Sequence, residues 1–212
     1  HTLKTKIHNK SNDMKKLLSA SILAASMLSL SITSCDNLKP APVPDDIVGD
    51  TPGELKAKIN ELLEQAGTDS TKVEFAEIAS NFQYKPGDNN ANVHVQIVSP
   101  EDKNKMLQYS WSDMKDRRNT YEQYELTVST FLEDDVVDSY DGYKDMLFTY
   151  NDIKPYLDNL PTYCKEALEA SGYKDKGYID SFLISSQQII IGVHHKDANI
   201  SKTYQISKDG KH

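Results

Sequence analysis

The stretch LLEQAG at residues 62–67 returns in altered form as ALEASG at residues 167–172. Each stretch closes an amphipathic pattern with a glycine, the residue that most often adopts the left-handed conformation at a helix C-terminus. Segments of alternating apolar and polar residues follow both stretches, and this alternation indicates β-strands. The two stretches therefore predict two helices, each followed by several strands.

The first predicted helix begins at residue 51, where Thr51 caps the first turn and Glu54 completes a capping box. Its apolar residues recur at helical spacing until Gly67 ends the pattern. Loops rich in turn-forming residues separate the strands that follow. The predicted strands cover residues 72–83, 92–99 and 105–112.

The second predicted helix has Asn151 or Asp152 as its cap, and Pro161 is expected to break or restart it. Its predicted strands cover residues 178–186, 188–194 and 202–207, and YQIS at 204–207 matches LQYS at 107–110. We interpret the pattern as two α-β-β-β units, residues 51–118 and 151–212. The alternative is a coincidence between two amphipathic helices that are each followed by strands.

Residues 119–150 join the two units and are also predicted to be strands. Apolar and polar residues alternate over 123–128, a turn is expected at 140–142, and residues 143–150 read as a further strand. One antiparallel sheet with helices on one face would accommodate every element. The sequence therefore predicts an α+β fold over residues 51–212.

This order of elements resembles the PepSY-like and beta-lactamase-inhibitor-protein-like domains of bacterial envelopes, including lipoproteins of Bacteroidetes. In those families, tandem units each lay a helix on a three- or four-stranded antiparallel sheet. The resemblance covers residues 51–212 as an order of elements. It implies a module that binds or inhibits another protein.

The N-terminal region contains two lysines at 15–16, an uncharged apolar run over 17–32, and ITSC at 32–35. This combination resembles the signal peptide and lipobox of bacterial lipoproteins. The resemblance implies a signal peptide over 14–34 and lipidation of Cys35, so that acyl chains hold the protein firmly on a membrane. The alternative is a buried N-terminal helix with a chance cysteine.

The residues on either side of this signal fit the same interpretation. Residues 1–13 are polar and basic, and we interpret them as an upstream extension of the reading frame. Residues 35–50 carry the anchor and then three alternating prolines, which favour an extended spacer. The predicted location is the cell envelope, on the periplasmic side or on the cell surface, with the lipid as the contact to the membrane.

The net charge and the cysteine count restrict the classes of partner and of fold. The chain carries a net charge of −8, and removal of the basic residues 1–34 would bring it to about −12. A chain this acidic is repelled by phosphate backbones, so nucleic acid is not an expected partner. With Cys35 lipidated, Cys164 has no intramolecular disulfide partner and is expected to be a small buried residue of a helix.

No familiar catalytic motif occurs in the sequence: there is no phosphate-binding glycine loop, no G-x-S-x-G and no H-E-x-x-H. His94, His194 and His195 are the main titratable bases, and they are expected to be hydrogen-bonded or solvent-facing rather than metal ligands. No metal, cofactor or catalytic residue is predicted. The chain is therefore interpreted as a protein without enzymatic activity.

Twelve tyrosines and a single tryptophan are the remaining unusual feature. Exposed tyrosines on a sheet make adhesive contacts with peptides or glycans, whereas half-buried tyrosines are typical of any sheet. The residues of the candidate binding surface are Tyr109, Trp111, Tyr121 and Tyr124.

The sequence thus predicts a lipid-anchored envelope protein with a non-catalytic domain that binds or inhibits a partner protein of the envelope or the extracellular space. One alternative is a carbohydrate-binding accessory lipoprotein, which would display an exposed aromatic platform around Trp111. The other is a hydrolase of unfamiliar type, which would place a histidine beside a carboxylate in a deep pocket.

Overall fold

The computed structural model describes residues 52–83, 90–114, 117–128 and 139–207. The predicted signal peptide, Cys35 and the proline-rich linker lie outside the described residues.

The order of helices and strands along the described chain is much as the sequence predicts. The first half contains α1 (Pro52–Gln65), β1 (Glu74–Gln83), β2 (Asn90–Val98), β3 (Met106–Met114) and β4 (Arg117–Leu126). The connection contains α2 (Tyr140–Tyr143), a 3-10 helix (Lys144–Met146) and β5 (Phe148–Thr149). The second half contains α3 (Tyr150–Asp158), α4 (Leu160–Ser171), a 3-10 helix (Lys174–Lys176), β6 (Gly177–Ile184), β7 (Gln188–His195) and β8 (Ser201–Ser207).

In the described part of the chain, the eight strands form one antiparallel sheet. Seven of them lie in the order β4-β3-β2-β1-β6-β7-β8, and β5 pairs with one end of β1. Helices α1 and α4 pack on the same face, where they share one hydrophobic core with the strands. The predicted α+β fold with an antiparallel sheet is confirmed. Among the described helices, none is long and apolar enough to cross a bilayer.

The two long helices bury the same positions. α1 buries Leu55, Ile59 and Leu62, and α4 buries Leu160, Cys164 and Ala167 at the identical spacing. Gly67 and Gly172 follow these helices with φ angles of +71° and +74°, a conformation that glycine adopts without steric cost. Gly67 and Gly172 therefore both end a helix through the same left-handed backbone conformation.

The start of the second helical region differs from the sequence prediction. The cap is Thr149 rather than Asn151 or Asp152, and its amide and hydroxyl both donate to Oδ2 of Asp152, at 2.7 and 2.8 Å. α3 ends at Asp158, and α4 begins two residues later with Pro161 in its first turn, so the expected restart is present.

Residues 143–150 form helical turns and a strand of only two residues, where the sequence predicts one continuous strand. The physical reason is the burial of Tyr143, which is 1% exposed. Tyr143 lies in a second apolar cluster with Ala76, Val98 and Met106, on the sheet face opposite α1 and α4. Compact turns place the Tyr143 ring over the end of the sheet. An extended strand of the same residues would be too long to leave the ring there.

The strand pairing of the first half recurs in the second half. Phe75 pairs with Ile97 and Ile179 with Val193. A register shift then follows in both halves, at Ala76 in β1 and at Asp180 in β6, and pairing resumes one residue later in each. Such a bulge leaves one residue unpaired and bends the strand. The bulge in β1 and the bulge in β6 therefore occupy equivalent positions in the β1–β2 and β6–β7 ladders.

The outer hairpins also correspond. Tyr109 pairs with Val95, and Tyr204 pairs with Ile191 at the equivalent position. The backbone bond from Ser99 N to the Lys105 oxygen (2.9 Å) has its counterpart from His195 N to the Ile200 oxygen (3.0 Å). The register therefore equates Tyr109 with Tyr204, two positions away from the match that LQYS and YQIS suggest.

Candidate binding face

The sheet face opposite α1 and α4, called the helix-free face below, carries the side chains that alternate with the core residues. The helical turns of residues 140–146 cover its end at Val98 and Met106, and no other described helix packs on it. Because successive side chains of a strand point to opposite faces, the pairing register fixes which residues share it. Its central positions are Glu77, Ala79, Asn81, Asn92, His94, Gln96, Gln108, Ser110, Ser112, Asp180, Ser181, Leu183, Ile190, Gly192 and His194. These described positions include carboxylates, histidines, amides and hydroxyls, but no lysine or arginine.

In the first half, a carboxylate and a histidine form a pair on this face. Glu77 follows the β1 bulge, and its Oε1 lies 2.8 Å from Nε2 of His94 on β2. The Glu77 side chain is only 2% exposed, whereas that of His94 is 16% exposed. The histidine therefore lies between the buried acid and the solvent.

The other carboxylate oxygen of Glu77 is buried and has no hydrogen-bond partner among the described residues. A buried polar atom without a partner is costly, and native structures usually satisfy it with protein groups or water. Ser110 lies opposite His94 across the β2–β3 ladder, but its hydroxyl donates to the Glu122 carbonyl at 3.5 Å. The acid, histidine and hydroxyl are thus neighbours without forming a chain of proton transfer.

In the second half, Asp180 and His194 form a looser pair. Oδ2 of Asp180 lies 3.6 Å from Nδ1 of His194, and its Oδ1 accepts a bond of 2.9 Å from Ser181. Gly192 lies opposite Ser181, and a Cβ at this position would collide with Ser181 Oγ and Asp180 Oδ1. The glycine therefore provides the space in which the acid and the serine pack.

Burial raises the pKa of Asp180, while the Ser181 hydroxyl and His194 act in the opposite direction. The folded protein then binds a proton more tightly than the unfolded chain does. The free energy of unfolding is therefore expected to fall as the pH rises from the ordinary aspartate value of about 3.9 through the raised folded-state value. Asp180→Asn should remove this slope from urea denaturation curves measured at a series of pH values.

Asp175→Asn is the matched control, because Asp175 is an exposed acid on the neighbouring 3-10 helix. This variant should keep the wild-type dependence of stability on pH. A slope that persists in Asp180→Asn would assign the effect to a different group.

Amide pairs order the surface around the acid–histidine pairs. Asn81 Nδ2 donates to Asn92 Oδ1 at 3.3 Å, and Gln96 Nε2 donates to Gln108 Oε1 at 3.2 Å. Such cross-strand pairs stabilise a sheet and fix the rotamers of its exposed side chains. The face is therefore polar and pre-ordered across three adjacent strands.

The four aromatic residues of the candidate surface do not lie together. Tyr109 and Trp111 are 7% and 5% exposed and belong to the core beneath α1. Tyr121 packs against the same core, and its hydroxyl bonds to Glu61 of α1. Tyr124 is 47% exposed and lies on the helix-free face, where its hydroxyl donates to Glu122 at 2.7 Å. Among the described residues, no exposed aromatic platform surrounds Trp111, the feature expected of a carbohydrate-binding protein.

His94 lies apart from the adjacent His194 and His195. His94 is on β2 and His194 on β7, with β1 and β6 between these two strands. Within the described ranges, no three side chains of histidine, cysteine, aspartate or glutamate come close enough to hold a metal ion. The sequence places His94 opposite Val93 and Val95, but it does not reveal Glu77 as a partner, because that contact depends on the register between two strands.

The fold and this face define an α+β protein in which described helices cover one sheet face fully and the other at one end. No family model, curated protein or solved structure matches the chain.

Proposed function

We propose that the protein is anchored to the cell envelope by a lipid on Cys35 and that its helix-free face binds another protein. The observation that carries the proposal is the composition of this face, which presents partly exposed amides, hydroxyls and Asp180 but no lysine or arginine among its described central positions. A surface rich in acceptors favours a partner that supplies donors and positive charge.

The dimensions of the face suit such a partner. Seven adjacent strands at a spacing of about 4.8 Å span about 29 Å. Strands of seven to ten residues, at about 3.4 Å per residue, extend for about 24 to 34 Å. The product for the whole sheet is close to the ~800 Å² that each partner buries in a standard protein–protein interface, and the part left open by the turns of residues 140–146 is smaller.

The binding test compares Ser110→Arg with Thr162→Arg, which places the same charge on the exposed surface of α4. Residues 36–212 are immobilised, envelope proteins are captured, and each captured protein is then purified and titrated. A partner of the face should bind Ser110→Arg at least about tenfold more weakly, because the added cation meets the partner's own positive charge. Equal affinities for the wild type and both variants would contradict the proposal.

The anchor is tested independently by the intact mass of membrane-extracted protein. The wild type should have the mass of residues 35–212 plus diacylglycerol and acyl groups, and Cys35→Ser should remain unprocessed. A wild-type mass that includes residues 14–34 would overturn the anchor while leaving the binding face untouched.

A further inference from the structure

The outer edge of β8 is the place where the two halves of the sheet differ. In the first half, β4 pairs along β3 from Ser112–Thr120 to Met106–Leu126. In the second half, β7 is the strand of the described chain that pairs with β8. Because Tyr204 corresponds to Tyr109, the outer edge of β8 corresponds to the edge of β3 that β4 covers.

The backbone groups along this edge can be assigned. The bond from His195 N to the Ile200 oxygen makes His195–Ile200 a hydrogen-bonded pair and His194–Ser201 a non-hydrogen-bonded pair. Every second pair along β8 is therefore hydrogen-bonded to β7. Tyr204 therefore bonds to β7, whereas Thr203 and Gln205 direct their N–H and C=O groups away from the sheet.

The counterparts of Thr203 and Gln205 in the first half are Gln108 and Ser110. The equivalent bond from Ser99 N to the Lys105 oxygen gives β3 the same alternation. Gln108 and Ser110 direct their backbone groups at β4, where they lie opposite Tyr124 and Glu122. The second half thus presents the hydrogen-bonding pattern that a fourth strand uses in the first half.

Within the described residues, the β8 edge shows none of three features that commonly block strand addition. Natural edges are protected by proline, by bulges or by outward lysines. The segment SKTYQIS contains no proline, and its seven pairs with β7 run without a register shift. Its lysine, Lys202, donates to the Ser171 carbonyl at 2.7 Å and lies 5.1 Å from the Tyr173 ring, on the side of α4.

The first half further indicates which side chain an added strand would carry. Tyr121 of β4 lies opposite Trp111, and its hydroxyl bonds to Glu61 of α1. Ile206 is the counterpart of Trp111. Glu166 of α4 is the counterpart of Glu61, since it lies 105 residues further on, as Gly172 does from Gly67. Glu166 is exposed and accepts a bond of 3.0 Å from Tyr204.

We propose that β8 accepts an extended segment of a partner protein as an added antiparallel strand, with a tyrosine, lysine or arginine opposite Ile206 that reaches Glu166. The net charge of −8 opposes the docking of a second copy and favours a different, less acidic protein. This site is independent of the helix-free face, because it uses backbone groups of the edge instead of side chains of that face.

The probe is a synthetic peptide with the β4 sequence RRNTYEQYEL, residues 117–126, which pairs with the equivalent edge in the folded chain. Amide hydrogen exchange is followed by NMR with millimolar peptide. Exchange at Thr203 and Gln205 should slow, while Tyr204 should be unaffected. A peptide with Tyr121→Ala should bind about tenfold more weakly. Unchanged exchange at Thr203 and Gln205 would overturn the proposal.

Two pairs of variants test the role of the edge backbone. The double variant Thr203→Pro with Gln205→Pro removes both outward amides and leaves the bonds to β7, so it should abolish peptide binding. The control variant Thr203→Ala with Gln205→Ala keeps these amides and should bind the peptide as the wild type does. If the proline variant fails to fold, methylation of the peptide provides the same test. Methyl groups on the amides of Glu122 and Tyr124 should abolish binding, and those on Tyr121 and Gln123 should not. Loss with both methylated peptides, or with neither, would overturn the proposal.

Two other occupants would also overturn it. Sedimentation that shows a wild-type dimer, lost in the proline variant, would place a second copy at β8. Thr203 and Gln205 amides that are already protected in the free monomer would mean that a segment of the same chain fills the edge.

Discussion

Trp111→Ala is expected to lower the free energy of unfolding by about 3–5 kcal/mol. The indole is 5% exposed and packs in the core beneath α1. Its loss removes the largest side chain of β3 from the core and leaves a cavity that the surrounding backbone fills only in part. It also removes the ring over which Lys58 Nζ lies, 4.3 Å from the centroid. Urea denaturation followed by circular dichroism measures the change.

Tyr124→Ala is the matched control, because this aromatic residue belongs to the same predicted surface but is 47% exposed. Its removal should change the free energy of unfolding by no more than about 0.5 kcal/mol. If both variants lost the same stability, the assignment of Trp111 to the core and Tyr124 to the surface would be wrong. The pair thus separates the structural from the adhesive interpretation of the aromatic residues.

Most elements could be predicted because their local signals agree with the tertiary structure. The glycines at 67 and 172 have positive φ angles, and the periodic leucine and isoleucine residues before them face one core. The six strands of the two predicted units begin and end within two residues of their predicted bounds, since alternation over seven or more residues leaves little freedom. The signals that predict these elements, helical spacing and strand alternation, lie entirely within the sequence of each element.

The connection and the faces depend on contacts that are distant in sequence. Residues 143–150 alternate as a strand would, but the burial of Tyr143 against Val98 and Met106 favours compact turns. Aromatic residues occupy both faces of β4, and the sequence alone does not say which face a helix covers. For this reason Trp111 and Tyr124, both attractive as surface residues, lie on opposite sides of the sheet.

The acid–histidine pairs could not be predicted because bulges determine their positions. The extra residue at Ala76 changes the alternation of β1, and the one at Asp180 changes that of β6. A regular period of two would assign the residues before each bulge to the wrong face. Glu77 and Asp180 can be placed beside His94 and His194 only once the cross-strand register is known.

His94→Ala is expected to cost about 3 kcal/mol of the free energy of unfolding at neutral pH. The substitution removes the only partner found for the Glu77 carboxylate among the described residues, at a site where the acid is 2% exposed. An uncompensated buried charge is more destabilising than the loss of the contact itself. His195→Ala, at the partly exposed end of β7, should cost less than about 1 kcal/mol and serves as the control.

The double variant Glu77→Leu with His94→Leu distinguishes a charge effect from a packing effect. If the cost of His94→Ala comes from the isolated carboxylate, replacing both partners by apolar residues should restore stability to within about 1 kcal/mol of the wild type. If the histidine ring matters mainly as packing, His94→Leu alone should already restore stability, because leucine refills the space of the ring while the carboxylate stays isolated. Recovery would mean that folding does not need the Glu77–His94 pair. This result would favour a role of the pair in binding on the helix-free face.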